Sequence, residues 1–329
     1  MKKFIAAAFA ALLLLSLLGC AQATPSAPGS VENSVESSAV EKEKLKIVAT
    51  IFPQYDFVRQ IAGDHVELTM LMRPGAETHS FEPSLKDMTT IQQCDLFIYV
   101  GGESDVWVDR ILSSLDVSGI KFLKLMDMVT VVEEEFVQGM EEKHEHGEHE
   151  GHGREYDEHV WTSPLNAKLI VSAISQALCE LDEDNAEEYA HNTEAYQKQL
   201  DELDMQFRDV VDGAVRKTLI FGDRFPFRYF ADEYGLTYFA AFPGCSSETE
   251  ASAGTIAFLI DKVKQENIPV VFHVELSSEM MADTICEATG AKKLLLHAVH
   301  NISLDDFAAG AGYLELMSGN VENLREALQ

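Results

Sequence analysis

Histidine is the residue type whose placement in this sequence most directly suggests chemistry. The chain has 11 histidines among 329 residues. His79 falls between a predicted strand and a predicted helix, His159 lies just before a helix, and His297 and His300 follow the apolar strand 294–296. Zinc is usually held by a few neutral imidazoles at about 2.0–2.1 Å, drawn from distant segments. Any one of these histidines is typical of a surface or a core, but together, at equivalent topological positions, they predict a metal site.

A second group of histidines lies in one polar segment. Residues 133–158 are acidic and contain glycine, and the histidines cluster in the middle of this stretch, at His144, His146, His149 and His152. Such a segment is predicted to be a loop whose imidazoles and carboxylates bind metal loosely and exchangeably. The alternative is a solvated loop that happens to be rich in histidine.

The first residues predict the compartment. A basic pair, Lys2 and Lys3, precedes the apolar run 4–18, which is too short for an ordinary membrane span. The run ends in Leu-Leu-Gly-Cys20, which resembles the lipobox of bacterial lipoproteins. We therefore expect a signal peptide over 1–19, lipidation of Cys20 and an extracytoplasmic protein anchored to the bacterial cell membrane. The alternative is an ordinary signal peptide with a coincidental cysteine.

Composition constrains the partners and the covalent chemistry. The 55 acidic and 25 basic residues give a net charge of −30, which disfavours nucleic acid as a ligand. Residues 20–44 are rich in Ala, Ser, Pro and Glu and are predicted to be a flexible tether. Beyond Cys20 the cysteines show no C-x-x-C pair, and both a Cys245–Cys286 disulfide and buried free thiols remain open.

The elements that must position the histidines alternate between strand and helix. Apolar runs such as 95–100 fit buried parallel strands, and helical segments follow them, so the fold class is predicted to be α/β. We expect an amino-terminal lobe over 45–162, a helical connector over 163–215 and a carboxyl-terminal lobe over 216–329. The connector contains a long helical stretch from residue 185, either one helix or two with a break near 201–204. Ligands of such sheets bind beyond the carboxyl ends of the strands, so a cleft between the lobes is the expected site.

Three segments carry a family resemblance. Thr78-His79-Ser80-Phe81-Glu82-Pro83-Ser84, Asp157-Glu158-His159-Val160-Trp161 and Val100-Gly101-Gly102-Glu103-Ser104 resemble hallmark segments of the zinc/manganese substrate-binding lipoproteins of ABC transporters. The resemblance runs from about residue 45 to the end of the chain. It implies two Rossmann-like lobes joined by a long helix, with the metal in the interlobe cleft. It also implies a monomer without enzyme activity that delivers its ion to the permease and ATPase of an importer.

The resemblance also implies a ligand set. The family's first two histidines match His79 and His159, and its carboxylate after the penultimate strand matches His297. The family's remaining ligand would fall at Arg224, which stays protonated and cannot ligate, so Asp223, His300 or water is expected to complete the site. Candidates for orienting the imidazoles are Glu77, Glu158 and Glu275.

The ligand types decide between metals and between function classes. Three imidazoles favour Zn²⁺ over Mn²⁺, which prefers a larger share of carboxylates. We therefore expect a protein that captures Zn²⁺ for an importer, with a Mn²⁺-binding member of the same family as the alternative. A secreted zinc hydrolase is the rival from another class, although H-E-x-x-H and G-x-S-x-G are both absent from the sequence. A surface adhesin is a third interpretation, which no sequence repeat supports.

Overall fold

Eight parallel strands form two four-stranded sheets in the part of the chain that the structure covers. The computed structural model describes residues 43–76, 81–140, 155–246 and 250–329. The predicted α/β fold with two parallel-sheet lobes is confirmed. The strands of the first sheet are β1 (Leu45–Ala49), β2 (Val66–Met70), β3 (Leu96–Tyr99) and β4 (Lys121–Lys124), and those of the second are β5 (Thr218–Phe225), β6 (Thr237–Pro243), β7 (Val270–His273) and β8 (Lys292–Leu295).

The two sheets share one topology. The strand order is β2-β1-β3-β4 in the first sheet and β6-β5-β7-β8 in the second, and every pair is parallel. In each sheet the second strand of the chain lies on one side of the first strand, and the third and fourth strands lie on its other side. The order therefore reverses between β1 and β3, and again between β5 and β7. A crevice opens at the carboxyl ends of strands at such a reversal, and this is where α/β proteins bind their ligands.

Helices connect the strands and begin at residues suited to capping. Serine side chains accept backbone hydrogen bonds at the starts of α2, α4, α7 and α9, which satisfies otherwise unpaired amide groups. The helices are α1 (Phe52–Ala62), α2 (Leu85–Gln92), α3 (Val106–Leu112), α4 (Pro164–Leu181), α5 (Ala186–Asp212), α6 (Arg228–Tyr234), α7 (Ala253–Glu266), α8 (Met280–Thr289), α9 (Leu304–Ala309) and α10 (Tyr313–Leu328). The cap on α4, Ser163, lies four residues after His159 and fixes the start of that helix at Pro164.

Among the described residues, two α-helices lie in sequence between the sheets. Helix α5 is continuous over 27 residues, so the break considered near 201–204 does not occur. It packs against α4, and also against α1 from the first lobe and α10 from the end of the chain. The segment predicted as a connector is thus a pair of packed helices instead of an isolated rod.

The hydrophobic core is continuous across the molecule. One cluster of buried side chains includes Ile47 and Phe57 from the first lobe, Phe207 from α5, and Phe221 and Leu324 from the second half of the chain. Two smaller clusters lie on the other faces of the sheets, one around Phe97 and Trp107 and one around Ile220 and Leu259. The two lobes therefore share their largest core.

Gly222 shows how closely the second lobe is packed. A Cβ atom at this position would lie 2.6 Å from the Cα and 2.8 Å from the backbone nitrogen of Ala282 in α8. We expect Gly222→Ala to destabilise the protein by about 1–3 kcal/mol, because backbone atoms must move to relieve the overlap. Thermal unfolding measures the change. The control is Gly319→Ala in α10, where a Cβ meets nothing within 4 Å and stability should hold or rise.

Candidate metal centre

A small cavity lies where the ends of the two sheets meet. Its volume is about 40 Å³, which is enough for one ion with a water or two. Segments that follow β2, β5, β6, β7 and β8 all contribute to its wall. The lining residues are Ala76, His159, Arg224, Pro226, Gly244, Val274, Glu275, Leu276, Ser277, Ala298, His300 and Asn301.

His159 is fully buried and its ring is oriented by Asp157. Asp157 Oδ1 lies 3.1 Å from the ring Nδ1 and accepts the backbone N–H of His159 at 2.8 Å. Asp157 is itself fixed, because Tyr229 donates its hydroxyl to the Asp157 carbonyl at 2.6 Å. A carboxylate can only accept, so Nδ1 carries the proton and the neutral ring has its lone pair on Nε2. This carboxylate–imidazole pair is the usual way to prepare a histidine for metal binding.

His300 is the second imidazole in the cavity. Its ring centroid lies 5.2 Å from that of His159 and 5.1 Å from that of Trp161. Two imidazoles bound to one tetrahedral zinc at about 2.1 Å have centroids roughly 5 Å apart, so the observed spacing suits a shared ion. Glu275 holds this loop, since its carboxylate accepts the backbone N–H groups of Ala298 at 2.7 Å and His300 at 2.8 Å.

The turn before His300 has unusual backbone geometry. Val299, a β-branched residue, has φ of 57°, and Leu276 on the facing loop also has φ of 57°. Such angles are unfavourable for branched side chains and persist where surrounding contacts enforce them, most often at functional sites. Val299 directly precedes His300, whose side chain lines the cavity.

His297 lies three residues earlier and does not line the cavity. Its Nδ1 accepts the backbone N–H of Val299 at 2.9 Å, and its backbone is bound by the Asn320 side chain. When Nδ1 accepts a hydrogen bond, a neutral ring carries its proton on Nε2 and has no lone pair left for a metal. The structure thus brings His159 and His300 together and leaves His297 in the packing of the loop.

Asp223 and Arg224 lie where the family resemblance places its remaining metal ligand, a ligand that this sequence does not supply at position 224. The Asp223 carboxylate accepts the backbone N–H of Val274 at 3.1 Å and of Arg224 at 2.8 Å, and also the Ser277 hydroxyl. It does not line the cavity, whereas the buried Arg224 does. Burial raises the pKa of Asp223, and its hydrogen bonds oppose that rise. Asp223 thus joins β5 to the loop after β7.

The surroundings of His159 are strongly acidic. Buried Glu158 accepts the Ser104 hydroxyl at 2.5 Å and the Ser104 N–H at 3.1 Å, and Gly102 leaves room for it, since a Cβ there would lie 2.2 Å from Glu158 Oε2. Burial alone would lower the pKa of His159, but Asp157, Glu158 and Glu134 outweigh it and raise that pKa. The neighbourhood therefore attracts cations.

Cys245 was not expected near this centre. Asp157, His159 and Cys245 each offer a ligand atom within 4.8 Å of the other two, and Cys245 donates its backbone N–H to Glu134 at 3.0 Å. Burial, together with the nearby carboxylates, raises the pKa of the Cys245 thiol well above its usual value. The disulfide interpretation was wrong: Cys245 and Cys286 are both free, and Cys286, a residue of α8, packs against the cluster around Ile220 and Leu259.

Several predicted residues lie outside the described part of the chain. These are His79 and Glu77, the loop histidines His144, His146, His149 and His152, and Cys20. Among the described residues, no helix is long and apolar enough to cross a membrane. Of the two described candidates for orienting the imidazoles, Glu275 supports the His300 loop and Glu158 binds Ser104. The residue that contacts the His159 ring is Asp157, which was not among the candidates.

The chain has clear relatives among known proteins. It is 34% identical over 284 residues to the zinc-binding lipoprotein AdcA of Streptococcus pneumoniae strain ATCC BAA-255 / R6, covering 86% of this chain and 56% of the relative. It therefore spans about half the length of the first relatives it matches. It is also 34% identical over 299 residues to the high-affinity zinc uptake system protein ZnuA of Bacillus subtilis strain 168, covering 90% of this chain and 92% of the relative.

Structural comparison gives the same relationship. The zinc-bound ZnuA-like domain of Streptococcus pneumoniae AdcA superposes with a TM-score of 0.71 at 30% identity, covering 87% of this chain and 99% of that domain. The family model described as the periplasmic component A of the zinc-uptake complex matches residues 47–327. With almost all of the folded body matched, the chain belongs to this ZnuA family.

Proposed function

We propose that this protein captures Zn²⁺ outside the cytoplasm and delivers it to an ABC-type importer. The observation that carries the proposal is the pair of imidazoles in the cavity, with ring centroids 5.2 Å apart and the Asp157 carboxylate on Nδ1 of His159. The pair can replace part of the hydration shell of a borderline ion, and the carboxylate keeps His159 in the metal-binding tautomer.

His79 is proposed as a further ligand. Ala76 lines the cavity, and His79 follows it three positions later in the sequence. The assignment is supported by this nearness in sequence to a cavity-lining residue and by the match of His79 to the family's first histidine. With His159 and His300 it supplies three imidazoles. His297 and Asp223, which the sequence also suggested, are less suited because both have structural hydrogen bonds.

The ligand types support zinc over manganese and transport over catalysis. Imidazole nitrogens suit Zn²⁺, whereas Mn²⁺ prefers oxygen ligands. The relatives are named for zinc binding and zinc uptake, and none of the comparisons supports the hydrolase alternative. We therefore infer a binding protein without enzyme activity.

The partners and location follow from the relatives and the leader sequence. A lipoprotein relative and a periplasmic family support a protein held outside the cytoplasm by a lipid on Cys20. The importer's permease and ATPase are the proposed partners, and a monomer is the proposed state. The loop histidines at 144, 146, 149 and 152 are proposed to collect the ion before it reaches the cavity.

Native mass spectrometry of the protein tests this proposal directly. We expect one tightly held zinc per chain and much weaker retention of Mn²⁺, since imidazoles favour zinc. A variant lacking residues 141–152 serves as the control, because the cavity ligands remain and the tight zinc should persist. Absence of tight zinc from the intact protein would refute the proposed function.

As the solution is acidified, zinc affinity should begin to fall at a higher pH than it would if His159 had the pKa of an ordinary histidine. A proton competes with zinc for His159, whose pKa is raised above the usual value of about 6.5. Below this raised pKa His159 is mostly in its doubly protonated, charged form. In that range zinc affinity should fall roughly tenfold per pH unit for each proton that zinc must displace. Calorimetric titration across pH measures this. Asp157→Asn, which removes one of the carboxylates, should shift the fall to lower pH; an unshifted curve would contradict the assignment.

A further inference from the structure

A cluster of possible metal ligands includes His159 and its neighbour Asp157, which contacts Nδ1 of the ring. Asp157, His159 and Cys245 form the one group of three or more His, Cys, Asp or Glu residues in the described ranges whose ligand atoms all lie within 4.8 Å of one another. We propose that these three residues form a second metal position, suited to thiophilic ions, which competes with the cavity for His159. It goes beyond zinc capture, because it uses a different nitrogen and a sulfur ligand.

The position lies on the Nδ1 side of the ring. Asp157 Oδ1 is 3.1 Å from Nδ1, and a Cβ built on Gly244 would lie 3.1 Å from Nδ1 and 3.2 Å from Asp157 Oδ2. The end of β6 therefore approaches the ring from this side, and Gly244 allows that close approach. Cys245 is the next residue, and its sulfur lies within 4.8 Å of a ligand atom of both Asp157 and His159.

The spacing suits a small ion after a modest adjustment. Ligand atoms on a tetrahedral ion, with bonds of about 2.0–2.3 Å, stand roughly 3.4–3.6 Å apart. Asp157 Oδ1 and His159 Nδ1, at 3.1 Å, are slightly closer than this spacing, and the Cys245 sulfur needs to approach by at most about 1.4 Å. Thiolate and imidazole ligands favour soft and borderline ions such as Cd²⁺ and Cu⁺.

Charge and access also support the position. Asp157 and Glu158 are each 1% exposed, and Glu134 accepts the backbone N–H of Cys245, so a cation would offset several nearby negative charges. Cys245 as a whole residue is half-buried, so this part of the chain lies near the protein surface. On binding, the thiol proton leaves to solvent and the His159 proton moves from Nδ1 to Nε2.

This proton movement makes the two positions mutually exclusive. A neutral imidazole has one lone pair, so an ion on Nδ1 leaves Nε2 protonated and unable to bind an ion in the cavity. A soft ion held by Cys245 therefore removes His159 from the cavity's ligand set. The protein should be inhibited by thiophilic ions through Cys245, separately from simple competition inside the cavity.

Cadmium titration of three proteins tests the proposal. The unmodified protein should show the ultraviolet absorption of thiolate-bound Cd²⁺, and Cys245→Ser should lose it and bind Cd²⁺ at this position at least about tenfold more weakly. The matched control Cys286→Ser, a half-buried free thiol elsewhere in the same lobe, should behave like the unmodified protein. Zinc affinity of Cys245→Ser should stay within about twofold, because the cavity ligands are unchanged.

Two outcomes would overturn the proposal. One is an unchanged cadmium spectrum in Cys245→Ser. The other is an equal loss of zinc and cadmium affinity in that variant, which would place the sulfur in the zinc site itself. The zinc titration of the unmodified protein does not involve Cys245. A failure of the proposed zinc function would appear in that titration and is therefore distinguishable from a failure of the second metal position.

Alkylation of individual cysteines tests the second metal position in the unmodified protein, without any variant. In the unmodified protein, Cd²⁺ should slow iodoacetamide modification of Cys245 by about tenfold or more and leave Cys286 unaffected, as measured by peptide mass spectrometry. Equal protection of both cysteines, or of neither, would count against the second metal position.

Discussion

Replacing His159 with alanine is expected to weaken zinc binding by about 100- to 1,000-fold. A zinc site of four protein ligands provides roughly 10–16 kcal/mol, so one ligand accounts for about 2.5–4 kcal/mol, which corresponds to that range. His159 is the best prepared imidazole in the described residues, because Asp157 sets its tautomer and the ring is fully buried. Competition with a chelating dye measures the affinity at neutral pH.

Two further variants make the result interpretable. Removing a fully buried ring also leaves a void, so His159→Gln serves as a variant of similar volume that binds zinc poorly, and it should lose affinity as the alanine variant does. His65→Ala removes a histidine that is paired with Glu188 at 3.1 Å and lies outside the cavity, and it should leave affinity unchanged. Equal zinc affinity in all three variants would reject the site.

The second large expected effect is a difference in zinc affinity between the alanine variants of His300 and His297. His300→Ala is expected to weaken zinc binding by about 100-fold or more, because this ring lines the cavity 5.2 Å from His159. His297→Ala is expected to change zinc affinity little and to lower stability by about 1–3 kcal/mol, because the Val299 N–H then loses its acceptor in a buried place.

Parallel measurements of zinc affinity and thermal unfolding on the two variants decide the matter. The two residues are matched in type, loop and burial, at 6% and 8% exposed, so a general effect of removing a buried imidazole would appear in both. Strong loss of zinc from His297→Ala with retention in His300→Ala would assign the ligand to His297 after all.

The fold was predictable from the sequence because local patterns determine it. Strand β3 is buried on both faces, so its sequence is a continuous apolar run that identifies a parallel strand. The alternation of such runs with helical segments gives the α/β class. One strand was underestimated: β5 continues past Phe221 to Phe225, where Gly222-Asp223 looks like a loop. The Asp223 side chain accepts the Val274 N–H across to the loop after β7 and so supports the extension.

The site was less predictable because its details depend on contacts between distant residues. His297 and His300 are indistinguishable by type and spacing, and the left-handed turn at Val299 decides which ring enters the cavity. Cys245 shows no motif, and it meets His159 only because Gly244 lets the end of β6 come close. A glycine directly before a cysteine at a strand end was the one available signal.

The hydrophobic core that runs through both lobes has a consequence for how the molecule unfolds. Because Ile47, Phe207 and Leu324 share one cluster, neither half of the chain can bury its apolar surface alone. Heating should therefore produce a single calorimetric peak, and separately expressed halves should fail to fold. Bound zinc, by stabilising the native state as a whole, should move that entire peak upward as its concentration rises.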